Sequence, residues 1–354
     1  MIITRTPFRI TLGGGGTDLP SFYREHGGFV LAVAIDKYMY MNVNTPIVDD
    51  MIRVRYSKAE TVRHVDEIEH SLAREAMKFF KMTSGLEIVS IADIPAGTGM
   101  GSSSCYLIGL LKALHTLSQR QVSAQELAEE ACYIELNRME KPIGKQDQYM
   151  AAFGGLTRLD IDRQGTVDAT RLELGSEILE ELERNLLLFY TGQPRDATLI
   201  LAAQDDATKR NERDVVTSLL EIKEIGYEIC DCIQAGNLAR FGKLMDLHWQ
   251  VKKRLSKEIT NPRIDAWYEL AKQNGALGGK ITGAGGGGFL TVYCEQSKVA
   301  LRDAMRKAGL RELGYRFDFE GCKVVFDIVS RDGRLAHMHR LKNDGPSFSI
   351  VGAA

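Results

Sequence analysis

The sequence predicts an α+β fold in two domains. Three observations carry that expectation. Strand-like runs, short and rich in branched and aromatic residues, crowd into the first hundred positions. Helical periodicity dominates the second half, without the regular strand–helix alternation of a doubly wound sheet. The chain has 354 residues, room for two domains at roughly 100–200 residues each.

Strands are predicted near residues 29–35, 38–43 and 86–91, separated by Gly, Pro and Asp. The first helix falls at about 67–80. From Ser102 the period changes, and Leu107, Leu110, Leu111, Leu114 and Leu117 recur at helical spacing. Another helix covers about 124–138, followed by short strands near 155–161 and 185–190. The segment 191–208 is polar and holds Gly192 and Pro194, so the domain boundary is placed there. The expected division is 1–190, 191–342 and a tail at 343–354 that reads as poorly ordered. Two helices follow the boundary, one marked by Val215, Leu219, Ile222, Ile225, Ile229 and Ile233, the next by Leu238, Phe241, Leu244, Met245 and Leu255. A glycine-rich strand–turn–strand at 277–294, a helix at 297–308 and strands near 313–329 complete the reading. No repeat of 20–50 residues is present.

Lys and Arg number 45 against 47 Asp and Glu, a net charge of −2. That balance argues against a nucleic-acid-coating or polybasic membrane-surface protein, while leaving room for a local basic pocket. No run approaches the 18 apolar residues of a membrane-spanning helix, and the N-terminus lacks a signal peptide's apolar core. The six cysteines form no CxxC pair and no zinc spacing, so buried, reduced thiols in a cytoplasmic protein are expected.

Glycine, at 34 residues, concentrates in three places. The second is the most informative: Gly97, Gly99 and Gly101 alternate, and then Ser102, Ser103 and Ser104 open the periodic helix. Glycines let backbone amides approach a ligand. The helix start supplies unpaired N–H groups and the positive end of the dipole. Together these make an anion site, with phosphate the usual occupant. GxxxxGK[ST] is absent, and GxGxxG with a distant acid fits Gly13–Asp18 badly, since the sixth position is itself Asp18, so a P-loop or Rossmann reading would be forced.

The first glycine segment runs from Gly13 to Gly16 and ends in Thr17 and Asp18. Asp18 there can hold sugar hydroxyls, accept turn hydrogen bonds or cap a helix. Arg9, in the strand before it, is as consistent with a solvent-facing edge position as with function. The third segment places five glycines within 283–288, either a wide turn or a backbone passing close to a ligand or another chain segment. Between them, a helix presents Glu135 near its end and a Pro/Gly turn delivers Asp147 in a loop. Two carboxylates so placed can serve as metal ligand and general base.

Together the three segments resemble the motifs of the GHMP kinases, the small-molecule kinases that include galactokinase, homoserine, mevalonate and phosphomevalonate kinases. PFRITLGGGGTD (7–18), PAGTGMGSSS (95–104) and KITGAGGGGF (280–289) match the family's motifs in order. The run GGGTDLP, with Phe22, Tyr23 and Arg24 after it, and GKQDQYMAAFGG (144–155) look like the bacterial D-glycero-D-manno-heptose 7-phosphate kinases. L-Fucokinase-type enzymes share parts of the pattern.

The resemblance implies a ribosomal-protein-type N-terminal domain and a ferredoxin-like C-terminal domain with the site between them. It further implies ATP and Mg2+. Gly97, Gly99, Gly101, Ser102, Ser103 and Ser104 would wrap the triphosphate. Ser103 and Glu135 align with the magnesium ligands, Asp147 with the catalytic base, and Arg9 with the cation beside the transferred group. Thr17, Asp18, Gly15, Gly16 and Gly285 fall on the sugar side. The usual Glu-His is replaced by Gly15 and Gly16, which would leave room for a seven-carbon sugar. Arg24, Lys141 and Lys145 are the candidates for a substrate phosphate, which needs local cations.

The implied activity is ATP-dependent phosphorylation of the anomeric hydroxyl of the heptose 7-phosphate, feeding nucleotide-activated heptose for a surface polysaccharide. A kinase of free L-fucose and a non-catalytic sugar sensor are the alternatives. The expected partner is a sugar phosphate, with no nucleic acid and no membrane, and a homodimer is compatible with the sequence.

Overall fold

The computed structural model describes residues 1–192 and 197–328. Its first half is built on an eight-stranded sheet. β1 (Ile2–Gly13) pairs antiparallel with β2 (Gly28–Asn44), a strand long enough to take two partners along its other edge. β3 (Ile52–Arg55) and β4 (Ala59–Val62) form an outer hairpin, joined to β2 through β5 (Glu87–Ala92). β6 (Leu156–Ile161) and β7 (Val167–Arg171) add at the opposite end of β2. The two strands predicted at 29–35 and 38–43 are therefore one element.

Helices α1 (Pro20–His26), α2 (Ser71–Phe79), α3 (Ser102–Leu117), α4 (Ala124–Cys132) and α5 (Gln146–Phe153) belong to this half. The central α3 is apolar nearly all round and packs on β1 and β2, with α2, α4 and α5 around it. From Phe8 onward β1 is buried on both faces, so Arg9, only 3% exposed, is interior and not on a solvent-facing edge.

The second half carries a four-stranded antiparallel sheet in the order β11–β8–β10–β9. These strands are β8 (Leu186–Tyr190), β9 (Gly278–Ile281), β10 (Phe289–Tyr293) and β11 (Arg311–Leu313). Around them lie α6 (Ser176–Asn185), α7 (Ala197–Lys209), α8 (Arg213–Gln234), α9 (Leu238–Lys252), α10 (Pro262–Gln273) and α11 (Lys298–Lys307). The expected two-domain α+β fold is what the chain adopts, with one correction to its partition. β8 belongs to the second sheet, and β12 (Lys323–Asp327) returns to the first, pairing antiparallel with β1. The two halves are not separable at residue 190 because each lends a strand across that point.

A second correction concerns 191–208, read as a polar linker. Its latter part is α7, whose polar face carries Gln204 back to the first half, where Nε2 donates to Gly16 O at 3.1 Å. The residues expected to form a tail, 343–354, lie outside the described residues, as does Pro194. All six cysteines are unpaired thiols, and five are buried. No helix among the described residues is long and apolar enough to cross a membrane.

Candidate active site

The three glycine segments meet around a cavity of about 330 Å3. Gly97, Gly99 and Gly101 all have positive φ, which leaves α3 preceded by a left-handed glycine, and Gly101 and the first-turn serines Ser102, Ser103 and Ser104 line the cavity. The third segment is glycine-rich because it packs against the second, backbone to backbone. A Cβ at Gly99 would lie 2.5 Å from Thr282 O, and one at Gly283 would lie 2.6 Å from Gly99 O. Of the readings open for that segment, the structure shows the close approach of another chain segment.

Arg9 and Asp147 form the centre. Arg9 Nε donates to Asp147 Oδ1 at 2.7 Å, a second guanidinium nitrogen lies 2.5 Å from the same oxygen, and Nη1 donates to Gly99 O at 2.6 Å. The arginine is buried, whereas the Asp147 side chain is 28% exposed toward the cavity, with Oδ2 beside the Gly101 loop. Asp147 does not sit in a loop as expected. It is the second residue of α5, where an acid in the first helical turn is favoured by the free N–H groups.

Glu135 sits in a π-helical turn, Tyr133–Arg138, that continues α4. Such widened turns are frequent at functional sites. Its side chain is fully buried and accepts from Ser103 Oγ at 2.8 Å, Ser104 Oγ at 2.9 Å and Gln148 Nε2 at 2.7 Å. Lys141 Nζ completes the cluster, 2.9 Å from Glu135 Oε1 and 3.1 Å from Ser103 Oγ. A cationic group therefore already stands where the serine and carboxylate oxygens converge. A hydroxyl and one carboxylate are a fitting pair for Mg2+, which takes few protein ligands. No group of three or more His, Cys, Asp or Glu among the described residues could hold a metal, so a cation on this pair would need its other oxygens from a ligand and water.

Asp18 lines the same cavity, but its oxygens are engaged. Oδ1 accepts from Gly16 N at 3.1 Å and Gln146 Nε2 at 3.3 Å, and Oδ2 accepts from Gln146 N at 3.1 Å. Gln146 in turn accepts from Thr11 Oγ1 at 2.7 Å. Asp18 thus ties the first glycine segment to the residue before Asp147. Burial raises its pKa and the nearby Asp147 charge adds to that, against the amide hydrogen bonds from Gln146 and Gly16.

Gly15, Gly16 and Ser102 line the cavity too. Thr17, Arg24, Lys145 and Gly285 do not. Thr17 is fully buried, its Oγ1 held between Gly14 O and Phe29 O and its hydroxyl serving the fold. Gly285 packs on Ile259. Arg24 and Lys145 line a separate outer cleft of about 1100 Å3, which adjoins the cavity at Lys141. Lys145 is buried there, donating to Gly165 O at 2.6 Å and to Glu129 at 3.3 Å.

The sequence reading missed Thr11, Gln146, Gln204, Lys252 and Lys280 as cavity residues. A signal for Lys252 existed. It follows Phe241, Met245 and His248 at helical spacing, so a lysine occupies the apolar stripe of α9.

This geometry has relatives. The chain matches the family described as GHMP kinases N terminal domain over 63–155 and the one described as GHMP kinases C terminal over 230–310. It is 27% identical over 333 residues to a D-glycero-alpha-D-manno-heptose 7-phosphate kinase from Campylobacter jejuni, covering 91% of this chain and 97% of that one. An L-fucokinase/L-fucose-1-P guanylyltransferase from Bacteroides fragilis is also 27% identical, over 84% of this chain and 35% of the larger protein. Among solved structures, a D-glycero-D-manno-heptose 1-phosphate kinase from Bacteroides thetaiotaomicron shares the fold at a TM-score of 0.76 and 21% identity, covering 93% of this chain and all of that one.

Proposed function

We propose that this chain, a GHMP kinase carrying both domains of that family and an ATP-dependent sugar kinase, phosphorylates the anomeric hydroxyl of D-glycero-D-manno-heptose 7-phosphate to the 1,7-bisphosphate. The observation that carries the reading is the Arg9–Asp147 pair set beside the N-terminus of α3 in one cavity, in a chain that aligns over 91% of its length with a heptose 7-phosphate kinase. Asp147 Oδ2 takes the proton of the attacking hydroxyl, and Arg9 balances negative charge on the phosphoryl group. The loop at 97–101 and the first turn of α3 hold the ATP phosphates through backbone N–H groups. Ser103 and Glu135 would hold Mg2+, which supplies charge neutralisation between the phosphates. Gly15, Gly16 and Thr11 form the wall against which the sugar ring would lie.

The outer cleft would take the far end of the substrate and its 7-phosphate, with Arg24, which has no ion pair among the described residues, the cation to meet it. The buried free thiols support a reducing cytoplasm as the location. A second reading has one specific observation behind it. Lys141 and Lys145 are both neutralised by internal carboxylates, Glu135 and Glu129, which suits a substrate without a phosphate, such as L-fucose.

A coupled assay of ATP consumption with heptose 7-phosphate, L-fucose and D-galactose decides between them. Phosphorus NMR of the product locates the new ester. Turnover on heptose 7-phosphate with a phosphate on C1 is expected. No turnover on it, with turnover on a free sugar, would replace the first reading by the second.

A further inference from the structure

The cavity holds two cations that nothing so far employs. Lys252, the last residue of α9, and Lys280, in β9, both line it, and both are buried, at 7% and 2% exposure. Lys252 Nζ donates to Gly283 O, and Lys280 Nζ donates to Leu12 O at 3.1 Å. Each therefore spends one of its three N–H donors on a main-chain carbonyl. Among the described residues, no carboxylate lies within ion-pair distance of either. Arg9, the third buried cation of this cavity, is matched by Asp147, so the surplus positive charge rests on the two lysines.

Burying an ammonium group without a counter-ion is costly, and proteins retain such groups where a ligand supplies the charge. The groups that act electrostatically on Lys252 are Arg9 from β1, Asp18 from the first glycine segment, and Lys280 and His248, which feel its charge in turn. Asp18 is the one acid among them, and its oxygens already accept from Gly16 and Gln146. An anionic ligand beside Arg9 and Asp147 would supply the missing counter-charge and hold the lysines in their charged form.

We propose that Lys252, braced by the Gly283 carbonyl and crowded by Lys280, is a catalytic residue that contacts the phosphoryl group in transfer. In that step a lone pair of the sugar hydroxyl oxygen forms the new P–O bond. The bond from phosphorus to the ADP oxygen breaks, its electron pair leaving on ADP, and the hydroxyl proton passes to Asp147. Lys252 gives up no proton. It balances the charge on the equatorial phosphoryl oxygens, while Lys280 keeps the Lys252 head turned into the cavity. The proposal rests on phosphoryl transfer at this site and not on which sugar accepts the group.

The first arm of the test needs no sugar, and the second is steady-state kinetics. Calorimetry with Mg2+ and ADP, and then with ADP plus beryllium fluoride as the phosphoryl mimic, is run on wild type and Lys252→Met. The variant should bind ADP within twofold of wild type but bind the beryllium fluoride complex at least about 30-fold more weakly. Its turnover should fall about 100- to 1,000-fold, as for loss of one preorganised charge-stabilising donor, with the sugar KM within about threefold. Unchanged affinity for the beryllium fluoride complex overturns the proposal. So does a defect confined to the sugar-phosphate KM, which would move Lys252 to the substrate's own phosphate.

Should Lys252→Met not fold, wild type alone decides. Burial and then the Arg9 charge lower the Lys252 pKa to about 8, so proton uptake on binding the mimic, read from two buffers of different ionisation enthalpy, should grow as pH rises from 7 to 9.5. No uptake anywhere between pH 7 and 9.5 overturns the assignment.

Discussion

Lys141 Nζ and Glu135 Oε1 lie 2.9 Å apart, with Ser103 Oγ 3.1 Å from the same nitrogen. The lysine, expected from the sequence to meet a substrate phosphate, thus occupies the meeting point of the two oxygens aligned with metal ligands. A divalent cation bound there would compete with the lysine. Lys141→Met should tighten Mn2+ binding to the ADP complex about fivefold, the effect of losing a part-exposed ion pair worth about 1 kcal/mol. Ser103→Ala and Glu135→Ala should weaken it. Electron paramagnetic resonance titration of Mn2+ reads all three. Equal Mn2+ affinity in the four proteins would remove the metal site from these residues.

Asp147→Asn should keep ADP affinity within about twofold while turnover falls about 100- to 10,000-fold, as for a lost general base. The amide oxygen can still accept from Arg9 Nε, so the geometry has a reason to survive. What is lost is the carboxylate's basicity at the oxygen facing the cavity. Steady-state kinetics beside an ADP titration checks this, and turnover within a few-fold of wild type would show that another group accepts the proton.

Gly144 is where Asp18 reaches the loop that leads into Asp147. A Cβ there would stand 1.9 Å from Asp18 Oδ2, a contact no small shift relieves. Gly144→Ala should therefore push Asp18 off Gln146 N and displace the start of α5. Misplacing a catalytic group by about 1 Å can cost about 100-fold, so kcat should fall by roughly that factor with ADP affinity preserved. Asp18→Ala should give the same pattern. If Asp18→Ala instead raises only the sugar KM, Asp18 holds hydroxyls and does not position the helix.

Much of this site was legible because it lies within continuous motifs. Arg9, Ser103, Glu135 and Asp147 each sit a fixed few residues from a glycine run or a Pro/Gly turn, and the structure brings all four to one cavity. The residues that stayed hidden arrive from distant elements. Gln204 reads as one polar residue in a stretch resembling a linker, and only the packing of α7 shows that it grips Gly16. Lys141 and Lys145 read as free cations because sequence spacing does not reveal that Glu135 and Glu129 face them. β12 resembled another strand of the second domain, since nothing local in Lys323–Asp327 encodes its pairing with β1 across the whole chain.

The burial of Lys252 has a consequence for stability that is separate from catalysis. Its pKa is lowered to about 8, first by desolvation and then by the Arg9 charge, whereas an unfolded lysine titrates near 10.5. Between those values the unfolded chain binds more protons, so wild-type stability should rise with pH from about 8 to 10.5 through this group. Below pH 8 the charged form carries its full cost, of order 3 kcal/mol. Lys252→Met removes that cost and loses one hydrogen bond, worth about 1 kcal/mol. The ligand-free variant should therefore melt a few degrees higher than wild type at pH 7, with the gap narrowing as pH approaches 10. Thermal scans at pH 7 and pH 9.5 without ligand test it. A variant that melts lower at pH 7 would mean that the ammonium is already compensated in the empty cavity.

Arg24 is the last of the three cations first considered for the substrate's own phosphate, and the structure separates it from the other two. Lys141 is bound to Glu135 and Ser103, and Lys145 to Glu129 and Gly165 O, whereas Arg24 is exposed on α1 and lines the outer cleft. A phosphate entering that cleft meets a guanidinium suited to bidentate contact. Arg24→Ala should raise the KM for heptose 7-phosphate about tenfold, a loss of about 1.4 kcal/mol, leaving kcat and the KM for ATP unchanged. Lys145→Ala should behave differently, because it strands Glu129 beside Tyr149 and opens a buried pair: the protein should lose stability while both Michaelis constants stay close to wild type. Higher salt should raise the wild-type KM for the sugar phosphate and leave that of Arg24→Ala nearly flat, since an exposed charge contact is screened. If Arg24→Ala leaves the constant for heptose 7-phosphate untouched at every salt concentration, and Lys209→Ala, which alters the other exposed cation of the cleft, does so too, the outer cleft does not hold that phosphate and a free sugar becomes the better substrate.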